Sequence, residues 1–243
     1  MSRDVDDQRR ASTSNAGRNE LRLAGIFMVG GLIVNAVSTA FHPGGAEDNH
    51  EVIFTQYANS DPWIAVHIGQ FVGVLLTLGG LLVLCHAMRA AGQALLPYLA
   101  TAAIVATAAI WAVLQGLDGV GLKQAVVAWD SASGTEKATR LVGAEIVRWL
   151  EWGFQSYFRM LLGLALLLVG AGILASRLLA TWLGWAAVLA GVMSVVFAVD
   201  VGYSGLQGGL QDAISMPFLI VVLVLSVGVL VGGFRERTAH AAR

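Results

Sequence analysis

Long apolar segments recur along this sequence of 243 residues, and each is long enough to cross a lipid bilayer as a helix. A hydrocarbon core about 30 Å thick requires about 20 apolar residues of helix, because each residue adds about 1.5 Å. With 56% hydrophobic and only 13% charged residues, the chain has more apolar surface than a water-soluble domain can bury. The sequence therefore predicts an all-α integral membrane bundle of about six transmembrane helices, at residues 23–41, 63–87, 96–117, 149–175, 182–199 and 214–234.

Charge and cysteine content exclude several classes of function. A net charge of -1 and scattered basic residues provide no dense basic patch for nucleic-acid binding. The one cysteine, Cys85, can form neither an intrachain disulfide nor a cysteine-ligated metal cluster. The sequence also contains no Gly-x-Ser-x-Gly elbow, phosphate-binding loop or dinucleotide fingerprint. The absence of these motifs argues against a nucleophilic or phosphoryl-transfer enzyme.

The basic residues favour one orientation in the membrane. Ten of the fifteen Lys and Arg residues fall in segments that an even number of spans places on one side, and four fall on the other. By the positive-inside rule, we expect a plasma-membrane protein with both termini cytoplasmic. Residues 1–20 are predicted to be a disordered cytoplasmic tail, 21–236 the transmembrane domain and 237–243 a second cytoplasmic tail. A signal-peptidase site at Ser38 and Ala40 is an alternative that would leave five spans.

Two regions outside the spans also have helical patterns. Between the first two spans, apolar residues recur at helical spacing over residues 49–60, which predicts a short amphipathic helix on the outer surface. Residues 122–129 follow the third span and residues 139–150 precede the fourth with similar spacing, so both spans are expected to project beyond the membrane. The segment 130–137 contains Ser and Gly and is predicted to be a turn.

Polar side chains inside the spans concentrate in the outer half of the predicted bundle. Lipid penalises such groups, so each is expected to face a partner, a cavity or water. These residues come from different helices and together predict a ligand pocket: His67, Gln70, Asp118, Glu151, Gln155, Arg159 and Asp200. The competing interpretation is that the same groups only hold the bundle together.

Arg159 is the most informative of these residues. It lies about ten residues into the fourth span, hence roughly 15 Å down the helix and near the bilayer centre. An isolated arginine at that depth costs at least about 2.5 kcal/mol on insertion scales. We expect it to be ionised and paired with one carboxylate among Glu151, Asp118 and Asp200.

The histidines make a metal or haem site a second hypothesis. His42 and His67 lie near the outer ends of the first two spans, and imidazole and carboxylate groups are typical ligands of zinc and other transition metals. No helix supplies two ligands through a His-x-x-x-His pattern. A bis-histidine haem could use only His42 with His67, because His86 lies nineteen residues after His67 on the same helix. The identity of any cofactor stays open.

Four runs carry a resemblance to a known class of proteins. They are Phe-His-Pro-Gly-Gly at residues 41–45 and the segments at 63–70, 122–129 and 145–157. Through these runs the chain from Arg22 onward resembles uncharacterised bacterial multi-pass membrane proteins of the domain-of-unknown-function class. The resemblance implies the membrane fold and no particular activity.

Three functions are consistent with these patterns. The first is binding of a small or amphipathic ligand in the polar pocket, with transport as one use of it. The second is a membrane enzyme that depends on a metal or haem. The third is a structural or accessory subunit that contacts another membrane protein or another copy of the chain. Polar groups converging from several helices favour the first, so the sequence indicates a binding protein more than an enzyme.

Overall fold

The computed structural model describes residues 2–45, 49–206 and 208–234, with side chains from residue 17 onward. Within this part of the chain the secondary structure is helical, and no strand is present. The helices are α1 (Ser2–Thr39), α2 (His50–Ala58), α3 (Trp63–Ala90), α4 (Leu95–Gln115), a π-helix (Gly116–Leu122), α5 (Lys123–Asp130), α6 (Gly134–Ser176), α7 (Thr181–Ser204) and α8 (Leu210–Phe234).

Six helical segments are long and apolar enough to cross a membrane, which confirms the predicted fold class. The third and fourth are much longer than the other four, at 36 residues (Leu95–Asp130) and 43 residues (Gly134–Ser176). Because about 20 residues suffice to span the hydrocarbon core, both project beyond it, as the sequence predicts. The break between them covers residues 131–133 and lies inside the predicted turn.

The first predicted span belongs to α1, whose backbone extends from Ser2 to Thr39. The tail predicted at residues 1–20 overlaps the beginning of this helix, and its disorder stays a prediction. Side chains of residues 1–16 lie outside the described part of the chain, and so does the C-terminal tail predicted at 237–243.

The short helix predicted between the first two spans is α2. The side chain of Asn49 accepts from the backbone N–H of Val52 and caps its N-terminus. At its other end, the Lys123 ammonium donates to the carbonyls of Tyr57, Ala58 and Ser60 at 2.8, 2.9 and 2.9 Å. A cation at a helix C-terminus satisfies free carbonyls and complements the helix dipole. Lys123 therefore fixes α2 to α5.

We refer to α2, α5 and the adjoining first turns of α6 as the cap. These elements share a buried apolar core with the beginning of α3 and the end of the π-helix, formed by Ile53, Phe54, Tyr57, Trp63, Leu122, Val126, Trp129 and Ala144. A helix as short as α2 is marginal in isolation, so its stability must come from this packing. The cap covers one end of the bundle.

Glycines set how closely α6 and α7 approach each other. A Cβ at Gly163 of α6 would lie 2.8 Å from the carbonyl oxygen of Gly191 in α7, and one at Gly170 would lie 2.7 Å from that of Gly184. Only glycine allows such backbone contact, which is typical of membrane helix pairs. The backbones of α6 and α7 are therefore in direct contact at two levels.

Candidate functional site

A cavity of about 360 Å³ lies between α1, α3, α4, α6 and α8. Its lining changes in polarity along the bundle axis. On α6, Glu151 and Gln155 line the end beneath the cap, whereas Leu162 and Leu166 line the opposite end, and α3 repeats this order from Gln70 to Leu81. The volume falls in the usual range for small-molecule sites. The cavity thus has a polar end and an apolar end.

The structure brings most of the predicted pocket residues together. Five of the seven line the cavity: Gln70, Asp118, Glu151, Gln155 and Arg159. His67 lies behind Asp118, with its Nε2 3.1 Å from Asp118 Oδ2. Asp200 does not line the cavity, since it accepts a hydrogen bond from Gln211 Nε2 at 2.8 Å where α7 turns into α8.

Asp118 owes its position to the π-helix that follows α4. Gly116, Gly119 and Gly121 lie in this segment, and the indole Nε1 of Trp63 donates to the Gly119 carbonyl at 3.1 Å. A Cβ at Gly119 would lie 2.8 Å from His67 Cβ, so the absence of a side chain lets the imidazole pack against the helix. π-helical turns are rare in proteins overall, but those that occur are frequently found at functional sites. The three glycines were the only sequence signal for this turn.

His42, His67 and Asp118 form a compact group at the polar end of the cavity. One ligand atom from each lies within 4.8 Å of the other two. Nδ1 of His67 lies 2.8 Å from the Trp63 carbonyl oxygen, and Nδ1 of His42 lies 2.8 Å from that of Pro43. A carbonyl only accepts, so each Nδ1 is assigned as the protonated nitrogen. In the neutral ring, Nε2 then carries the lone pair.

The rings of His42 and His67, the two histidines that a bis-histidine haem could use, lie close together. Their ring centroids are 5.3 Å apart, and the Trp63 ring packs against both, at 5.1 Å from His42 and 4.4 Å from His67. His50 is directed elsewhere, with its Nδ1 3.0 Å from Glu145 Oε1.

Arg159 does not form the predicted ion pair. Each of the three candidate carboxylates has another partner: Glu151 pairs with Arg148, Asp118 with His67 and Asp200 with Gln211. Among the described residues, no acidic side chain lies within ion-pair distance of Arg159. Aromatic rings surround its guanidinium instead, with centroids 4.5 Å away for Phe197, 5.2 Å for Phe218 and 5.9 Å for Phe158.

The pairing differs from the prediction because a nearer cation was available to Glu151. Arg148 lies three residues before it on the same face of α6, and its Nη1 is 2.6 Å from Glu151 Oε2. Residues three apart on a helix are neighbours, whereas Arg159 lies eight residues further on. Arg148 also packs over the Tyr57 and Trp152 rings, so it connects the cavity to the cap.

Several buried polar atoms of the cavity wall have no hydrogen-bond partner among the described residues. They are Trp111 Nε1, Gln115 Oε1, Asp118 Oδ1 and Arg159 Nε. The Trp111 and Gln115 side chains are more than nine-tenths buried. A buried polar group left unsatisfied costs about 1–3 kcal/mol, so water or a bound ligand in the cavity is expected to satisfy these atoms.

No protein-family model matches this chain, and no curated protein or solved structure matches it either. The resemblance to bacterial multi-pass membrane proteins therefore stays a prediction. Function has to be inferred from the cavity itself.

Proposed function

We propose that the chain binds a small amphipathic molecule with an anionic headgroup in the cavity, as a multi-pass membrane protein. The observation that carries this proposal is Arg159, a cation in the cavity wall whose described neighbours include no carboxylate. An uncompensated charge in a low-dielectric site is costly, and a bound anion removes that cost. The ligand's own charge would thus complete the site.

The distribution of the other lining groups supports an amphipathic ligand over a fully polar one. Gln155 and Gln115 lie on the polar side of Arg159 and can hydrogen-bond a headgroup. Leu162, Leu166 and Leu81 line the other side and suit an alkyl chain, because burial of apolar surface is favourable there. Small-molecule sites are usually apolar pockets that contain a few specifically placed polar groups.

The proposed orientation has both termini in the cytoplasm and the polar end of the cavity towards the outside of the plasma membrane. Its support is the ten-to-four distribution of basic residues in the sequence. An amphipathic molecule would then enter with its headgroup near the outer interface. The cap, fixed by Lys123, would lie on that same outer side.

Chain-length-matched amphiphiles test the proposal. We would titrate the purified full chain, in a maltoside detergent at constant concentration, with laurate, lauryl alcohol or laurylamine and follow thermal unfolding. A ligand that binds only the folded state stabilises it by about 2.7 kcal/mol at one hundred times its Kd. Laurate is expected to raise the Tm most and laurylamine least, because only laurate neutralises Arg159.

The matched variants are Arg159→Gln and Arg140→Gln. Arg140 lies on the same helix but pairs with Glu136 in the cap, at 2.8 Å, outside the cavity. The preference for laurate should disappear in Arg159→Gln and persist in Arg140→Gln. Equal stabilisation by all three amphiphiles, or an unchanged preference in Arg159→Gln, would contradict the proposal.

A further inference from the structure

We propose that His42, His67 and Asp118 bind one divalent transition-metal ion of the zinc class at the polar end of the cavity. The three residues come from separate segments: His42 follows α1, His67 lies in α3 and Asp118 lies in the π-helix. Their ligand atoms lie within 4.8 Å of one another. Two imidazoles and one carboxylate are a ligand set that zinc accepts.

The contact between His67 and Asp118 requires a positive charge between its two atoms. His67 Nδ1 donates to the Trp63 carbonyl, so Nε2 of the neutral ring presents a lone pair to Asp118 Oδ2 at 3.1 Å. Two acceptors at this distance repel unless a proton or a metal ion lies between them. A proton would join these two residues. A metal ion would join them and could also bind His42, whose ligand atom lies within 4.8 Å of both.

The surroundings of the three side chains match those of metal-ligating residues. A ligating histidine usually donates its other ring N–H to a carbonyl or carboxylate, which fixes the tautomer and the orientation of the ring. Both His42 and His67 make this contact, through Pro43 and Trp63. The second carboxylate oxygen of Asp118, Oδ1, is buried without a hydrogen-bond partner among the described residues and can complete a bidentate contact.

The separations are compatible with binding of one ion. Ligand atoms that are each about 2 Å from one ion are at most about 4 Å apart. His67 Nε2 and Asp118 Oδ2 already meet this limit, and the ligand atom of His42 lies within 4.8 Å of both. Three protein ligands would leave a further coordination position for water or another small ligand. Two of the three residues, His42 and Asp118, line the cavity.

This inference goes beyond amphiphile binding, because the three side chains can hold the ion whether or not a ligand occupies the apolar end of the cavity. We would prepare the full chain without a polyhistidine tag, treat it with a chelator, and titrate it in detergent with Co²⁺ while recording visible d–d absorption. One equivalent of Co²⁺ is expected to develop the spectrum of a four- or five-coordinate site. One equivalent of Zn²⁺ is then expected to displace it.

Variants locate the ion. His42→Gln and Asp118→Asn keep a similar shape and should each weaken Zn²⁺ affinity by about 100-fold or more, since even loss of a supporting contact costs about 10–100-fold. The control is His86→Gln, because His86 lies at the other end of α3 and is 71% exposed. His67→Gln is a further variant to include where it folds, as judged by its elution profile and Tm.

Two results would overturn the inference: wild-type protein that binds neither Co²⁺ nor Zn²⁺, or affinity that is unchanged in both His42→Gln and Asp118→Asn. Either result would leave a hydrogen-bonded pair of His67 and Asp118. Failure of the laurate experiment would not affect the metal titration, and the reverse also holds, so the two proposals are judged separately.

Discussion

The guanidinium of Arg148 donates to the carboxylate of Glu151 over 2.6 Å, and both side chains are almost completely buried. Two arginines on α6 therefore have opposite electrostatic surroundings. Arg148 has its counter-charge within its own helix, whereas Arg159 lies against aromatic rings in the cavity wall. Substitutions at the two positions should therefore have different consequences.

Removing one member of the Arg148 and Glu151 pair should destabilise the protein strongly. Loss of one partner removes the counter-charge that this contact supplies to a buried group, and breaking a buried ion pair typically costs about 3–5 kcal/mol. Arg148→Met and Glu151→Leu should each lower the free energy of unfolding in detergent by this amount, and the double variant should recover much of the loss. If the two losses simply add, the pair contributes no coupling energy.

Arg159→Met should be far better tolerated than Arg148→Met in the same unfolding experiment. Arg159 loses only contacts with aromatic faces, which contribute up to about 2 kcal/mol at a desolvated site. Its effect should be additive with changes at Glu151, Asp118 and Asp200, because it pairs with none of them. Coupling energy above about 1 kcal/mol with any one carboxylate would reveal an ion pair that this geometry does not contain.

Lys123→Met should release the C-terminus of α2. The substitution removes three hydrogen bonds from a charged donor, each of the type that contributes about 1.5–3 kcal/mol. Amide hydrogen exchange should accelerate across His50–Ala58 and change little in α7. Lys137→Met is the control, since Lys137 only lies over the Trp129 ring in the cap. Unchanged exchange in α2 would mean that apolar packing alone holds the helix.

Gly119→Ala should displace the His67 ring. The added Cβ would lie 2.8 Å from His67 Cβ, and overpacking of this kind costs about 1–3 kcal/mol. We expect a lower Tm together with weaker Co²⁺ binding. Gly116→Ala in the same π-helix is the matched control, because a Cβ there meets nothing within 4 Å. Equal effects of the two substitutions would show that the π-helix, and not the contact with His67, is the sensitive feature.

Cysteine labelling tests the orientation. In a Cys85→Ala background, a membrane-impermeant maleimide should reach Glu51→Cys in intact cells, because Glu51 lies exposed on α2 in the cap. Arg89→Cys, exposed at the opposite end of α3, should react only after permeabilisation. The reverse pattern would place the cap and the polar end of the cavity in the cytoplasm.

The sequence predicts the spans and α2 well because hydropathy and helical periodicity are local properties of the chain. It also places Glu151, Gln155 and Arg159 on one face of α6, which the cavity confirms. The sequence could not predict the neighbours of the Arg159 side chain, because pairing depends on how neighbouring helices are rotated. Asp118 illustrates the same difficulty, since a π-helical turn changes the direction of a side chain without changing the hydropathy pattern.

Helix α6 extends without interruption over 43 residues, roughly 65 Å from end to end. A single rigid rod thus contributes Ala144 to the cap, Arg148 to the boundary beneath it, Arg159 to the cavity wall and Gly170 to the contact with α7. The cap and the cavity wall are therefore mechanically coupled through one helix. A tilt of α6 about its glycine contacts with α7 displaces both of them together.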